Sequence, residues 1–322
     1  MAERPATNKD SKGRSSRRKD ARNQEAKFDV KGRLAVSLMK ALSFLPFRQA
    51  RGLGRFVGKL LWSFNASAAK VTKENIGYAF KELSAQEQTA LAQESVIQSS
   101  QTFSEMGKVW LNDDQWLMNS VTETENKERL DELLAEDRGV ILLAPHLGNW
   151  EVLGRYLGIV CPVITCMYQP VQLRAMDDMI KGARSKNMVM APTDKRGVMQ
   201  LMKALKNNEI IGVLPDQLPL DGGGDFADFF GKPALTMTLI RQLQQKTNSA
   251  VIMAFAKRID SGFRVIFMEP DPLIYSKNPD EALLGLNRSV ELCVHRAPEQ
   301  YQWEYKRYRR QPEGIPRPYQ FK

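Results

Sequence analysis

Histidine is almost absent from this chain: two in 322 residues, His146 and His295. That scarcity excludes a histidine-rich metal site, and neither an HExxH nor a CxxC pair is present. No metal and no cofactor is expected. If an imidazole moves protons, there are two candidates. Cysteine is also scarce. Three residues, Cys161, Cys166 and Cys293, are too few and odd in number for a disulfide framework, which points to a reducing compartment. The first twenty residues have no apolar centre and do not read as a secretory signal. Residues 34–64 are rich in apolar side chains, but Lys40, Arg48, Arg51, Arg55 and Lys59 interrupt them. The longest charge-free run, Ala41 to Phe47, falls far short of the roughly 20 residues a spanning helix needs. Acidic residues are in deficit, 37 against 47 basic, for a net charge of +10. A basic surface attracts anionic lipid, nucleic acid or an acidic protein, and charge alone does not choose among them.

The basic excess is uneven. Residues 1–33 hold eleven Lys and Arg against five Asp and Glu, and read as a disordered basic tail. In 34–64 two helical faces emerge, Leu34, Val36, Leu38, Ala41 and Leu42, then Leu53, Phe56, Val57, Leu60 and Leu61. Apolar faces with basic residues between them suit amphipathic helices lying in a membrane interface. The plainer alternative is a helix packed on its own domain. Residues 65–322 form the remaining domain. It opens with polar helices, and Ser84-Ala85-Gln86-Glu87 fits a capping box.

From residue 139 the pattern alternates between strand and helix. Short apolar runs at 139–144, 160–168, 210–214, 250–256 and 263–268 read as buried strands. Helices are expected near 150–158, 171–187, 196–207, 234–247 and 279–296. The expected fold is α/β, with a mixed, mainly parallel central sheet flanked by helices; the last two strands form an antiparallel hairpin through Asp260-Ser261-Gly262.

In such sheets ligands bind where strands end. His146 sits at that kind of exit, within His146-Leu147-Gly148-Asn149-Trp150-Glu151. A spacing of five does not share a helix face, so a His146–Glu151 contact needs the histidine in the turn and the glutamate in the first helical turn. A neutral imidazole removes a proton from an attacking hydroxyl, and a carboxylate on its other nitrogen fixes the tautomer. His146 and Glu151 are therefore the expected catalytic pair. GxSxG is absent, which leaves direct attack by an acceptor hydroxyl on an activated acyl group as the economical reaction, with no acyl-enzyme.

These residues resemble the H-x4-D/E motif of glycerolipid acyltransferases. From about Leu34 to Lys306 the chain resembles the late acyltransferases of lipid A biosynthesis, the lauroyl and myristoyl transferases. The likeness rests on Lys73-Glu74-Asn75-Ile76, Arg196-Gly197, Pro215-Asp216-Gln217, Phe229-Phe230-Gly231-Lys232-Pro233, and Pro298-Glu299-Gln300-Tyr301 followed by Trp303. The resemblance implies transfer of a fatty acyl chain from acyl carrier protein to a hydroxyl of a lipid A precursor, at the cytoplasmic face of the inner membrane. His146 and Glu151 match the family's catalytic pair, Arg184 its functional arginine, and Asp216 the aspartate after the third strand. The chain departs from the family at the N-terminus, where members carry a clearer spanning helix.

Arg184, Asp216, Gly148, Asn149 and Gln217 are grouped as candidate substrate contacts. Arg184 suits a phosphate or carboxylate, and Asp216 could orient Arg184 or a sugar hydroxyl. The glycine-rich stretch 221–225 lacks the Gly-Lys-Ser/Thr of a P-loop and reads either as a lid or connection, with Phe226, Phe229 and Phe230 over an acyl chain, or as an ordinary packed loop. The aromatic and basic stretch 303–310 suits a membrane rim or an acidic carrier protein, and no nucleic acid is expected. A lysophospholipid acyltransferase using the same pair is the alternative enzyme. A catalytically silent membrane- or nucleic-acid-binding protein is the alternative outside the enzymes.

Overall fold

The computed structural model describes residues 30–184 and 188–321. Two helices come first, α1 over 30–44 and α2 (Phe47–Ser63). The helices α3 (Ser67–Ala79), α4 (Ala85–Leu111) and α5 (Asp114–Ser120) follow. The capping box at Ser84 and Glu87 forms as expected, and the helix it opens runs on to Leu111. The expected tail falls outside the described residues except for 30–33, which begin α1.

A seven-stranded sheet organises the rest, with strand order β1-β9-β8-β2-β5-β3-β4. The strands are β1 (Val121–Glu125), β2 (Val140–Leu143), β3 (Ile164–Tyr168), β4 (Met188–Pro192), β5 (Ile210–Val213), β8 (Ala250–Ile259) and β9 (Gly262–Met268). All neighbours are parallel except β8 and β9, which form the expected hairpin. Connecting helices are α6 (Lys127–Ala135), α7 (Trp150–Val160), α8 (Arg174–Arg184), α9 (Lys195–Lys206), α10 (Leu239–Thr247) and α11 (Pro279–Arg296). The fold is therefore mixed α/β with a mainly parallel sheet. The strands alternate between two apolar clusters with the period of two that a pleat imposes. Val251, Met253 and Phe255 pack with α9, α10 and α11, whereas Ala250, Ile252 and Ala254 pack with α4, α5, α6, α7 and α8.

Three expectations give way. Residues 234–237, expected as the start of a helix, lie in strand β7 (Lys232–Met237), paired antiparallel with β6 (Gly224–Phe229) in a separate ribbon. Phe229 and Phe230 on that ribbon are buried against Tyr301, Tyr308 and Trp303, so they belong to the core rather than a lid. Likewise Trp303, Arg307 and Tyr308 are buried, which removes them from any membrane rim.

The N-terminal helices turn many large side chains outward, while Leu42, Met39, Phe47 and Trp62 pack inward. Helix α2 meets α4 through Ala50, Gly54 and Gly58, one residue every four. A Cβ on Gly54 would lie 2.6 Å from the Gln101 Cα, and one on Gly58 2.6 Å from the Ile97 Cα, so only glycine allows this backbone approach. Leu53, Phe56, Val57, Leu60 and Leu61 then face away, and Leu34 and Phe44 of α1 are 66% and 85% exposed. Among the described residues, no helix is long and apolar enough to cross a membrane.

Candidate active site

The strand exit lies where the sequence places it. β2 ends at Leu143, Ala144 and Pro145 continue, His146 to Gly148 make the turn, and Asn149 caps α7 by accepting from the Val152 N–H at 3.1 Å. Gly148 takes φ +64°, and a Cβ there would run into the Ala256 carbonyl oxygen. This position requires glycine on both counts. The turn is pinned from two sides. Gly148 donates to the Gln300 carbonyl at 3.0 Å and Asn149 to the Ala256 carbonyl at 2.9 Å. Leu147 forms a bridge with Tyr301 in the segment after α11.

The carboxylate that holds His146 is Asp216, which follows β5. Its Oδ2 accepts the His146 backbone N–H at 2.8 Å, and its Oδ1 lies 2.8 Å from Nδ1. Asp216 is buried, and burial pushes its carboxyl up. The charge of His146 and hydrogen bonds from it outweigh burial and hold the carboxyl below its ordinary value. In the neutral ring a proton on Nδ1 serves Asp216, and the Nε2 lone pair then faces the Gln217 amide nitrogen at 3.1 Å. The Trp150 ring stands edge-on at 5.1 Å from the imidazole.

Glu151 does occupy the first turn of α7, but its contacts are not with His146. Its Oε2 accepts from Trp110 Nε1 at 2.8 Å and from Arg184 Nε at 3.2 Å, while its Oε1 pairs with Arg184 Nη2. The hydrogen-bonded pair expected between His146 and Glu151 is replaced by two pairs, His146–Asp216 and Glu151–Arg184. The reason is direction: at the start of α7, Glu151 turns towards α4 and α8, whereas the β5 exit delivers Asp216 onto the imidazole. Arg184 also stacks over Tyr168, 5.6 Å from the ring centre.

Gly148 and Asn149 are buried and committed to protein partners. Asn149 Nδ2 donates to Glu105 at 3.0 Å. Glu105 is the centre of a buried cluster, accepting from Arg51 Nε at 2.8 Å and from Arg258 Nε and Nη2 at 2.9 and 2.8 Å. Burial pushes its carboxyl up, and the two guanidiniums outweigh that and hold it below its ordinary value. Arg258 Nη2 further donates to Thr102, whose hydroxyl donates to the Gly148 carbonyl. This cluster was not anticipated. Its signal was a charge in an apolar phase, Arg258 among the buried residues of β8 and Glu105 on the buried side of α4. His295 lies apart, edge-on to Phe80 at 5.7 Å and near Phe230 at 5.6 Å, in a packing role. Among the described residues no cluster could hold a metal ion.

All three cysteines are set against nucleophilic use. Burial pushes the thiol of Cys161 up to about 11, and those of Cys166 and Cys293 up to about 12, so none is a thiolate near neutrality. The site brings together an imidazole held by a buried carboxylate and, five residues on, a glutamate paired with Arg184; none of the three cysteines is an activated thiol.

Known proteins match along the whole of this architecture. Residues 28–310 match the bacterial lipid A biosynthesis acyltransferase family. The lipid A biosynthesis lauroyltransferase of Escherichia coli (strain K12) is 25% identical over 292 residues, covering 89% of this chain and 94% of that protein. The palmitoleoyltransferase of the same organism is 26% identical over 278 residues, 84% and 88% of the two chains, and its myristoyltransferase 22% over 296 residues, 90% of each. With a family match running from before α1 to the segment that pins His146, the chain belongs to the bacterial lipid A biosynthesis acyltransferases.

Proposed function

We propose that the protein transfers a fatty acyl chain from the thioester of acyl carrier protein to a hydroxyl of a lipid A precursor, with His146 as general base and Asp216 as the carboxylate that orients it. The observation that carries this reading is the Asp216 clamp on both the backbone and Nδ1 of His146, which turns Nε2 away from the carboxylate at a strand exit. The acceptor hydroxyl donates to Nε2, and its oxygen attacks the thioester carbonyl as the proton moves onto the imidazole. Collapse of the tetrahedral intermediate breaks the C–S bond, and the imidazolium returns the proton to the departing thiolate. The amides of Gly148 and Asn149 are spent on protein carbonyls, so the developing oxyanion is left to side-chain donors. Glu151 fixes the guanidinium of Arg184, whose remaining donors suit an anionic lipid head group.

The N-terminal pair supports a proposed localisation. The exposed apolar faces of α1 and α2, with Arg48, Arg55 and Lys59 beside them, suit helices lying in the plane of the inner membrane at its cytoplasmic face. Helix α1 starts next to α8, with Gly32 close to Ala175, so a lipid leaving that plane meets the Arg184 helix first.

The test is acyl transfer with purified lipid A precursor and acyl carrier protein thioester. His146→Ala removes the base and lowers kcat by about 10²–10⁴-fold. Asp216→Asn, which leaves the shape but permits the wrong tautomer, falls in the same range. Glu151→Gln weakens the hold on Arg184, so its loss is expected mainly in KM for the lipid. Full kcat in His146→Ala would refute the base assignment.

A further inference from the structure

A buried carboxylate lies against the turn that carries His146. Glu105, on α4, has no exposed surface and accepts hydrogen bonds from α2, from β8 and from the turn itself. Arg258 of β8 grips it as a fork, Nε to Oε1 at 2.9 Å and Nη2 to Oε2 at 2.8 Å. Arg51 of α2 donates Nε to Oε1 at 2.8 Å, and Asn149 donates Nδ2 to Oε2 at 3.0 Å. One oxygen thus serves α2 and the other serves the turn, with Arg258 on both. Charges buried so deeply are costly, and pairing them returns about what burial takes. Stability alone therefore gives little reason for an ion pair at this place.

The turn is held residue by residue. The Asn149 amide has a fixed direction: the Val152 N–H takes Oδ1 at 3.1 Å, and a carboxylate only accepts, so the NH2 end meets Glu105. Both polar groups of Gly148 depend on Arg258. The Arg258 backbone N–H donates to Gln300 Oε1 at 2.8 Å, its carbonyl accepts from Gln300 Nε2 at 3.0 Å, and the Gln300 carbonyl accepts the Gly148 N–H at 3.0 Å. Arg258 Nη2 donates to the Thr102 hydroxyl at 2.7 Å, and that hydroxyl has two carbonyls in reach, Gly148 at 3.2 Å and Gln98 at 3.3 Å. The Gln98 carbonyl lies inside α4, where the helix's own ladder serves it; Gly148 precedes α7 and has no such ladder. From the same segment as Gln300, Gln302 donates its backbone N–H to the His146 carbonyl at 3.0 Å.

We infer that Glu105 and Arg258 are positioning residues for the reaction, a bracket that holds Asn149 directly and Gly148 through Thr102 and Gln300, and so keeps the His146 imidazole aligned for proton transfer. Neither residue touches the imidazole. Asp216 holds His146 itself, and the bracket holds the part of the turn that Asp216 does not reach. Such placement matters because a shift of about 1 Å at a reacting group costs on the order of 10²-fold in rate. Asn149 and Gly148 then serve the chemistry by fixing the turn, with their polar groups turned to the protein rather than to a substrate. The inference rests on His146 being the base.

Removing either charged member strands the other, so the test is made on the two arms. Thr102→Val keeps nearly the same shape and deletes the hydroxyl. Asn149→Ser keeps a capping oxygen for α7 and stops short of Glu105, and it decides the matter if Thr102→Val does not fold. Acyl transfer is measured with the full chain in detergent micelles, acyl carrier protein thioester and lipid A precursor, beside a thermal melt of each variant. Each variant should lose about 10–10²-fold in kcat, with KM for both substrates unchanged. Thr102→Ser, which restores the hydroxyl, should recover most of that loss. Ser100, buried on the same helix, donates its hydroxyl to the Val96 carbonyl at 2.8 Å, so Ser100→Ala is the control for a lost buried hydroxyl and should keep the wild-type kcat. Wild-type kcat, or a loss confined to KM, overturns the arm in which it is seen, and in both variants overturns the bracket. A loss that Ser100→Ala shares, or that Thr102→Ser does not recover, overturns it as well, because the loss then follows packing rather than the bond. Activity surviving in His146→Ala would instead overturn the base assignment.

Discussion

Helices α7 and α2 are both amphipathic, and they use the property in opposite ways. Helix α7 buries its large residues, Val152, Leu153, Tyr156 and Leu157, against the sheet. Helix α2 buries Ala50, Gly54 and Gly58 and turns Leu53, Phe56, Val57, Leu60 and Leu61 outward. Hydrophobic periodicity therefore identifies a face but not what covers it. In α7 the apolar face is the packing face. In α2 the packing face is the stripe of small residues, and the outward apolar face has no partner among the described residues.

The contrast extends to the charges each helix carries. Glu151 of α7 and Arg51 of α2 both enter buried ion pairs. Arg51 joins Glu105 and Arg258 in a cluster that also holds Asn149, the cap of α7. Helix α2 is thus wired to the turn that carries His146. Removing the shared centre should give the largest effect. Glu105→Ala strands two buried guanidiniums and is expected to cost about 3–5 kcal/mol in unfolding free energy, read from urea denaturation. A loss below about 1 kcal/mol would mean that the two helices are not coupled through this residue. Leu153→Ala, a cavity under α7, should cost about 2–5 kcal/mol by the same measurement.

Much of this was legible in the sequence. The five apolar runs became β2, β3, β5, β8 and β9 because strands buried on both faces are continuous apolar segments. The position of His146 at a strand exit followed from Pro145 and Gly148. What was not legible is lateral. Strand β4, at the sheet edge, and the β6–β7 ribbon carry mixed patterns that do not separate from helix or loop. The partner of His146 depends on which strand lies beside β2, and that neighbour is β5, about seventy residues on in sequence. A motif five residues long contains Glu151 and omits Asp216, so local spacing named the wrong contact for the imidazole. Gln302 was hidden for the same reason: it reaches the site through pairing of 300–302 with the turn, a contact more than 150 residues apart.

The small-residue stripe is the next test of the comparison. Gly58→Leu places a side chain where the Ile97 backbone lies, and should destabilise by about 1–3 kcal/mol. Gly52, which has open space around its missing Cβ, is the control, and Gly52→Ala should be neutral or mildly stabilising. A neutral Gly58→Leu would mean that α2 is not held close to α4 in solution.

Acid gives a graded version. Glu105 and Asp216 are held below their ordinary values of 4.5 and 3.8. Their contribution is present above those values and is lost as pH falls through the lower folded ones. Stability should fall on acidification below about pH 4.5, by at most about 1.4 kcal/mol per pH unit for each proton taken up. Glu304 works in the opposite sense: its raised carboxyl is least costly below 4.5, and that advantage is lost as pH rises through its folded value. Thermal melts at stepped pH should show the acid-side slope flatten in Glu105→Gln.

The smallest effect on stability belongs to the outward face, and it is the most telling. Leu53→Ser, Phe56→Ser and Leu60→Ser together alter exposed side chains that leave the α2–α4 contact intact, so the unfolding free energy should move by no more than about 0.5 kcal/mol per substitution. The same three changes on the buried face of α7 would unfold the domain. Flotation with vesicles containing anionic lipid should separate the two helices: the triple variant of α2 keeps its fold and leaves the vesicle fraction, because it loses apolar area that would otherwise enter the interface while its basic residues remain. Undiminished flotation would show that charge alone holds the protein to the surface. A collapse of stability would show that this face packs on the protein after all, and α2 would then follow the same rule as α7.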